Sequence, residues 1–257
     1  MKADYINWMP KGMVYGFIAA AVGVMAAFAI VTALTTWTVV KIVLGAAAVI
    51  FIGMAIWAAM MHSRFSYNGK RQMSKWIIEG TAEYVKIPDG GRGLDVGCGS
   101  GALTIACAKR NPNATFVGID RWGKEYASFS KTLCENNARA EGVSNIRFLN
   151  GDATKLSFED ETFDAVTSNY VYHNITGFNK QDLLLETLRT LKKGGTFAIH
   201  DIMSQGRYGD MQAFADRLRS EGFREVNLIR TDDGKFMSKF ESKWMGLSGS
   251  TLLVGIK

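Results

Sequence analysis

Cysteine and histidine are scarce in this sequence, and the positions of the few that occur exclude two kinds of site. The three cysteines, Cys98, Cys107 and Cys134, have neither paired nor metal-ligand spacing. This disfavours a disulfide framework and fits a reducing compartment. No group of histidines, cysteines and acids has the spacing of a metal site either, so we predict that no metal is bound.

Charged residues are missing from most of the first 61 positions. No Asp, Glu, Lys or Arg lies between Lys11 and Lys41, or between Lys41 and Arg64. The apolar stretches 13–34 and 42–61 contain 22 and 20 residues. At about 1.5 Å per residue, each would form a helix of roughly 30 Å, the thickness of the hydrocarbon core of a bilayer. We therefore predict a transmembrane helical hairpin over residues 1–61.

The competing interpretation of this segment is a secretory signal peptide. The apolar core of a signal peptide usually has about 7 to 15 residues, whereas here a second full-length stretch follows at once. Basic residues lie before the first stretch and after the second, against Lys41 alone at the tip. The positive-inside rule then places both ends of the hairpin, and the domain that follows it, in the cytoplasm.

The rest of the chain is predicted to contain a connecting segment and one domain. Residues 62–92 are interpreted as a juxtamembrane linker with a lid helix near 74–85, and residues 93–257 as an α/β domain. The net charge of +6 is modest for 257 residues. Because a phosphate-backbone interface needs a concentrated basic surface, we predict that nucleic acid is not a partner.

A glycine-rich loop opens this domain at residues 94–103. A short apolar run ends at Asp95, after which Gly97, Gly99 and Gly101 alternate with small residues and a helical pattern follows. This is the strand, turn and helix of a nucleotide-binding loop. An acid at the strand end would repel a phosphate, so Asp95 favours a cationic ligand such as a sulfonium or an ammonium group.

The pattern Asp-x-Gly-x-Gly-x-Gly resembles the first motif of the class I S-adenosylmethionine-dependent methyltransferases. Three later places also resemble the family: Asp120 after the second strand, the Gly-Asp-Ala turn at 151–153, and Ser-Asn-Tyr at 168–170. The resemblance covers about residues 90–257. It implies a Rossmann-like, doubly wound, seven-stranded α/β sheet and S-adenosyl-L-methionine as the cofactor. The expected cofactor-binding residues are Asp95, Gly97, Gly99, Gly101, Asp120, Trp122, Asp152, Ala153, Ser168 and Asn169.

Two other functions stay open at this point. The spacing Gly97-x-Gly99-x-x-Ala102 also satisfies a loose dinucleotide fingerprint, which would suit a nicotinamide-dependent oxidoreductase. A membrane-tethered S-adenosylmethionine-binding sensor without catalytic activity would show the same cofactor motifs.

Methyl transfer to a protonated acceptor needs a base, and two of the three histidines follow the fourth and fifth predicted strands. We predict His173, His200 and Tyr170 as catalytic residues, because an imidazole titrates near neutral pH. Further acceptor-side residues are Tyr172, Asn174 and Asp201. Ser-Asn-Tyr-Val differs from the Asn/Asp-Pro-Pro-aromatic motif of enzymes that methylate nucleic-acid bases. Together with the hairpin, this predicts a membrane-anchored, cytoplasm-facing methyltransferase whose acceptor is small or lipophilic: a lipid amine, a quinone-type ring or a thiol.

Overall fold

The computed structural model describes residues 2–123 and 128–257. It divides the chain into two compact units. One contains the residues up to Tyr5 together with Trp76–Lys257, and the other contains Ile6–Lys75. The first few residues are therefore separated along the chain from the rest of their unit by the whole apolar hairpin.

The apolar unit contains two paired helices, α1 (Lys11–Leu34) and α2 (Thr38–Phe65). By length and composition alone, both are long and apolar enough to cross a membrane. The break between them has three residues, 35–37, where the sequence suggested seven. The second helix begins earlier than expected because Lys41 is accommodated inside it, with its Nζ 3.4 Å from the Thr32 carbonyl oxygen.

The larger unit is built on one mixed sheet with the strand order β3-β2-β1-β4-β5-β7-β6. All neighbouring strands are parallel except β7, which is antiparallel to both β5 and β6. This confirms the predicted seven-stranded, doubly wound fold. The strands are β1 (Arg92–Val96), β2 (Thr115–Asp120), β3 (Ile146–Asn150), β4 (Phe163–Asn169), β5 (Leu191–Ile202), β6 (Glu225–Arg230) and β7 (Ser250–Ile256).

Helices cover both faces of the sheet, as the connections between parallel strands require. The apolar faces of the strands and helices meet in a core that includes Val166, Phe197, Leu184 and Phe214, all at most 2% exposed. The helices are α3 (Met73–Ala82), α4 (Ala102–Arg110), α5 (Lys131–Ala140), α6 (Lys180–Arg189), α7 (Gln205–Tyr208), α8 (Met211–Ser220) and α9 (Lys239–Trp244), with a 3₁₀ turn at Tyr172–Asn174.

Several predicted boundaries differ from the observed ones. The lid helix ends at Ala82 rather than 85. The sequence pattern of residues 124–141 predicts one helix, of which residues 124–127 lie outside the described residues. Helix α5 begins at Lys131, after the N-cap Ser130. The short helices α7 and α9 had no clear pattern in the sequence.

A glycine pair after a helical pattern is typical of a helix end, but the prediction of such an end at Gly194-Gly195 is wrong. Helix α6 ends at Arg189, and the pair lies inside β5, where the register with β4 shifts. Backbone hydrogen bonds with Lys257 explain why the glycine pair belongs to a strand. The Gly194 amide donates to the Lys257 carbonyl oxygen at 2.6 Å, and the Lys257 amide donates to the Gly195 carbonyl oxygen at 3.0 Å. At its other end, β5 continues to Ile202 by pairing with β7, so His200 and Asp201 lie within the strand.

Candidate active site

The glycine loop follows β1 at the carboxyl edge of the sheet. Gly97, Gly99 and Gly101 all have positive φ, at 74°, 56° and 80°, a region that residues with a Cβ rarely adopt. A Cβ on Gly97 would lie 2.3 Å from Val171 Cγ2, so the segment after β4 packs directly on the loop. A Cβ on Gly99 would meet nothing within 4 Å. The open side of Gly99 is therefore where a ligand can approach the backbone.

Asp120, at the end of β2, holds this loop in place. One carboxylate oxygen accepts from the Gly99 amide at 2.9 Å, and the other accepts from the Trp122 amide at 2.8 Å. The Gly99 carbonyl oxygen in turn accepts from Trp122 Nε1 and Cys134 Sγ, each at 3.1 Å. Each carboxylate oxygen can accept more than one hydrogen bond, so Asp120 retains the capacity to bind ribose hydroxyls.

Asp95 is placed differently from the expectation that it faces a cationic ligand. Its side chain is buried and accepts hydrogen bonds from Thr104 Oγ1 at 2.6 Å and Thr167 Oγ1 at 2.9 Å. Burial raises the pKa of Asp95 to about 7. These hydrogen bonds connect Asp95 in β1 to α4 and β4. Any influence of Asp95 on the glycine loop is therefore exerted through these elements.

The other predicted cofactor residues lie at the ends of β3 and β4. Asp152 is exposed, and the backbone amide of Thr154 donates to its carboxylate at 2.8 Å, which lowers its pKa. Ala153 beside it is half-buried. Ser168 is buried and donates to the Val96 carbonyl oxygen at 2.8 Å. Asn169 accepts from His200 Nδ1 at 2.9 Å.

His173 and Asp201 form a hydrogen-bonded pair at this edge. The His173 ring Nδ1 lies 2.5 Å from one oxygen of Asp201, and the His173 amide donates to the other oxygen at 3.1 Å. The Tyr208 hydroxyl and the Ile202 amide also donate to this carboxylate, at 2.8 Å and 2.7 Å. Burial acts to raise the pKa of Asp201, but these hydrogen bonds outweigh it and lower the pKa overall. An ionised Asp201 fixes Nδ1 of His173 as the donor and leaves Nε2 as an acceptor.

His200 has a different environment from His173. It is fully buried, with Nδ1 on Asn169 and Nε2 2.7 Å from Thr231 Oγ1, and burial lowers its pKa to about 4. Tyr170 has an unusual φ of 56°, its hydroxyl lies 2.7 Å from Ser250 Oγ, and burial raises its pKa well above the usual value. The other acceptor-side tyrosine, Tyr172, is buried, and its hydroxyl lies 2.6 Å from Thr187 Oγ1.

Sequence reasoning missed the residues that hold these groups. Thr104 and Thr167 bind Asp95, Tyr208 binds Asp201, and Thr231 binds His200. Each lies on an element remote in sequence from its partner or carries no motif of its own. Of these residues, only Thr231 had a signal in the sequence, because it directly follows an apolar strand, where site residues are common.

The family follows from a direct comparison with known proteins. Residues 87–242 match the methyltransferase domain family. The chain belongs to this family. S-adenosylmethionine is the cofactor of such domains, and the donor set fits it. Asp120 binds the Gly99 amide at the end of β2, and Asp152 follows the neighbouring strand β3. These carboxylates suit hydroxyl and amino groups and a cation rather than a pyrophosphate.

The chain is also similar to individual methyltransferases. It is 29% identical over 155 residues to the demethylmenaquinone methyltransferase of Bacillus subtilis (strain 168), covering 60% of this chain and 62% of that protein. It is 31% identical over 155 residues to a sterol 24-C-methyltransferase of Gibberella zeae, covering 60% of this chain and 36% of that protein. The chain thus spans less than two thirds of the length of these curated relatives.

Solved structures of low identity share the fold. The [4+2]-cyclase SpnF superposes with a TM-score of 0.54 at 19% identity, covering 74% of this chain and 84% of that chain. The phosphoethanolamine N-methyltransferase 2 of Haemonchus contortus, solved with S-adenosyl-L-methionine, gives a TM-score of 0.50 at 16% identity, covering 74% and 53%. A cyclase and a methyltransferase share this architecture, so the fold alone does not determine the reaction.

Proposed function

We propose that this chain is a membrane-anchored S-adenosylmethionine-dependent methyltransferase that acts on a small lipophilic acceptor at the cytoplasmic face of the membrane. The His173–Asp201 pair is the observation that supports the catalytic part of this proposal. His173 lies on the segment after β4, whose Val171 packs against Gly97 of the cofactor loop. Asp201, in β5, binds Nδ1 of the His173 ring, so Nε2 is the nitrogen that can accept a proton.

The bound cofactor supplies an electrophilic methyl group, and its transfer is an in-line displacement at that carbon. The protein aligns the acceptor and excludes water. In our proposal, Nε2 of His173 takes the proton that the acceptor loses, and the buried Asp201 carboxylate stabilises the resulting imidazolium. A base held in this way contributes about 10²- to 10⁴-fold in rate.

His200 and Tyr170 have positioning roles in this proposal. With a pKa of about 4, His200 is neutral at physiological pH, and both of its ring nitrogens are engaged by protein partners. It fixes Asn169 at the end of β4 and Thr231 at the end of β6. Tyr170 packs edge-on against both His200 and His173, with ring centroids 4.7 and 5.9 Å apart, and so orients the base.

The proposed acceptor is a lipophilic ring compound. The names of the relatives describe methylation of a demethylmenaquinone and of a sterol, and both substrates reside in membranes. Of the acceptors that the sequence suggested, a quinone-type ring agrees best with this similarity. Methylation of a lipid amine or of a hydrophobic thiol is an alternative result of the methyl-transfer assay.

The anchoring proposal rests on both ends of the hairpin belonging to one domain. The side chain of Asn137 on α5 accepts from the Asp4 amide at 2.8 Å and donates to the Asp4 carbonyl oxygen at 2.9 Å. The same amide nitrogen donates to the Ser100 carbonyl oxygen at 2.9 Å. Since the chain leaves the domain after Tyr5 and returns to it at Trp76, a spanning hairpin has both ends on one side of the membrane. A cleaved signal peptide would remove the Asp4 contact.

Accessibility of single cysteines tests the topology, because the three native cysteines are buried. In intact cells that express the full chain, a membrane-impermeant maleimide should label Trp37→Cys at the hairpin tip. It should label Lys2→Cys and Lys193→Cys only after the cells are permeabilised. Labelling of Lys2→Cys in intact cells would contradict the proposed topology.

Binding and turnover test the catalytic proposal. Calorimetry on the detergent-solubilised full chain should show binding of S-adenosylmethionine and none of nicotinamide dinucleotides. Native membrane extract should then cause S-adenosylhomocysteine to accumulate. Binding of nicotinamide dinucleotides instead would favour the oxidoreductase, and cofactor binding without turnover in any extract would favour the sensor.

A further inference from the structure

Two large aromatic side chains are exposed on the connection between β6 and β7, residues 231–249. Phe240 is 72% exposed and Trp244 is 44% exposed. They lie four residues apart on α9 and stack on each other, with ring centroids 6.2 Å apart and an interplanar angle of 14°. Contiguous exposed aromatic surface of this kind marks an interaction site rather than a general feature of soluble domains.

Exposed lysines lie near this aromatic pair along the chain, and most nearby acids are paired or hydrogen-bonded. Lys239 and Lys243 are exposed on α9 itself, and Lys235 is exposed before it, with its Nζ 5.5 Å from the centroid of the Tyr84 ring. Asp232 is buried and paired with Arg230 at 3.0 Å. Glu241 turns back to the Ser238 amide in a capping box at the start of α9. Residues 231–249 are all described, and of their three acids only Asp233 is classed as exposed. The exposed face is therefore aromatic and positively charged.

The same connection reaches the acceptor side of the site. Thr231 at its start binds His200, and the Phe236 ring lies 5.6 Å from the His200 ring. Phe236 is buried against α3, where a Cβ on Gly80 would lie 2.3 Å from its ring. The segment is thus fixed to the domain through Thr231 and Phe236, and it continues into α9 with its exposed rings.

We propose that Phe240, Trp244 and the three lysines form an interfacial surface that docks on an anionic bilayer. Aromatic rings with adjacent lysines suit the headgroup region, where the rings enter the acyl boundary and the ammonium groups meet lipid phosphates. The core of a protein interface is depleted in lysine, which argues against a protein partner here. Docking would hold the acceptor side of the site at the membrane, and this consequence rests on the proposed function.

The test uses the full chain in lipid nanodiscs with an environment-sensitive fluorophore on Phe240→Cys. A matched control carries the label on Leu149→Cys, which is 40% exposed on the edge strand β3. In discs with anionic lipid, brominated acyl chains should quench the label at position 240, and aqueous iodide should quench the label at position 149. Equal iodide quenching at both positions would overturn the proposal. Shielding of position 240 from both quenchers would also overturn it, in favour of a second copy or another protein.

The dependence of docking on charge distinguishes binding through this surface from tethering by the hairpin alone. Replacing Lys235, Lys239 and Lys243 by Gln should weaken docking about fivefold per residue, or on the order of 100-fold together, because each lysine near an anionic surface contributes about 1 kcal/mol. Neutral lipid should have a similar effect. Unchanged lipid quenching in both cases would refute the role of the lysines. These measurements need no turnover, so they can succeed or fail independently of the methyltransferase assay.

Discussion

The buried carboxyl group of Asp95 should make the stability of this protein depend on pH in a way that one substitution removes. Burial raises the pKa of Asp95 from 3.8 to about 7. Between these values the folded state binds more protons at this position than the unfolded state. Stability therefore falls as the pH rises through this window, by up to about 1.4 kcal/mol per pH unit.

The substitution Asp95→Asn keeps the shape of the side chain and removes the titration. Its carbonyl oxygen can accept from one of Thr104 and Thr167, and its amino group can donate to the hydroxyl of the other. From pH 5 to pH 8, the free energy of unfolding of the variant should therefore rise relative to wild type by about 2.5 kcal/mol. In a domain of this size, that corresponds to a relative change in Tm of about 5–10 °C.

Thermal unfolding of both full-length proteins in nonionic detergent, followed between pH 5 and pH 8, measures this difference. Ser168→Ala is the matched control. It removes a buried hydrogen bond in the neighbouring strand without a titratable group, so its destabilisation should not change with pH. If the Tm curves of wild type and Asp95→Asn run parallel across this range, the raised pKa and the placement of Asp95 in the core are both wrong.

Three further substitutions test separate parts of the site. His173→Ala should lower kcat by about 10²- to 10⁴-fold while leaving the Kd for S-adenosylmethionine unchanged, and a full-rate variant would eliminate His173 as the base. Asp120→Ala should weaken cofactor binding by roughly 1–3 kcal/mol, because ribose hydroxyls and the Gly99 amide lose their acceptor; calorimetry with unaltered affinity would refute the placement of the ribose. Asn137→Ala should lower the free energy of unfolding by about 1–3 kcal/mol, because the Asp4 and Ser100 backbone groups lose their partner. It should also speed proteolysis of the N-terminus, and equal cleavage rates would contradict the docking of residues 2–5.

The sequence predicted the seven-stranded sheet well, and it placed two of the predicted cofactor carboxylates after neighbouring strands for a physical reason. Asp120 and Asp152 each interrupt an apolar run, and the carboxyl ends of parallel strands meet at one edge. The order of those runs was therefore enough to place the two acids at or just after the ends of the neighbouring strands β2 and β3.

Partners across the sheet could not be predicted in the same way. His173 and Asp201 are 28 residues apart and meet only because β4 and β5 are neighbours with a particular register. The difference between an accessible His173 and a buried His200 depends on which face of a strand or turn each side chain occupies. Helix α9 is too short for its periodicity to stand out, so the exposed pair Phe240 and Trp244 had no visible signal.

Methyl transfer in membranes tests the central proposal most directly. Membranes from cells that express the full chain are supplied with methyl-labelled S-adenosylmethionine and extracted with organic solvent, with His173→Ala membranes as the control. We expect label in the organic phase with the wild-type chain, and a decrease of about 10²-fold or more with the variant. Label confined to the aqueous or volatile fraction, or equal organic label from both chains, would contradict a lipophilic acceptor methylated with His173 as the base.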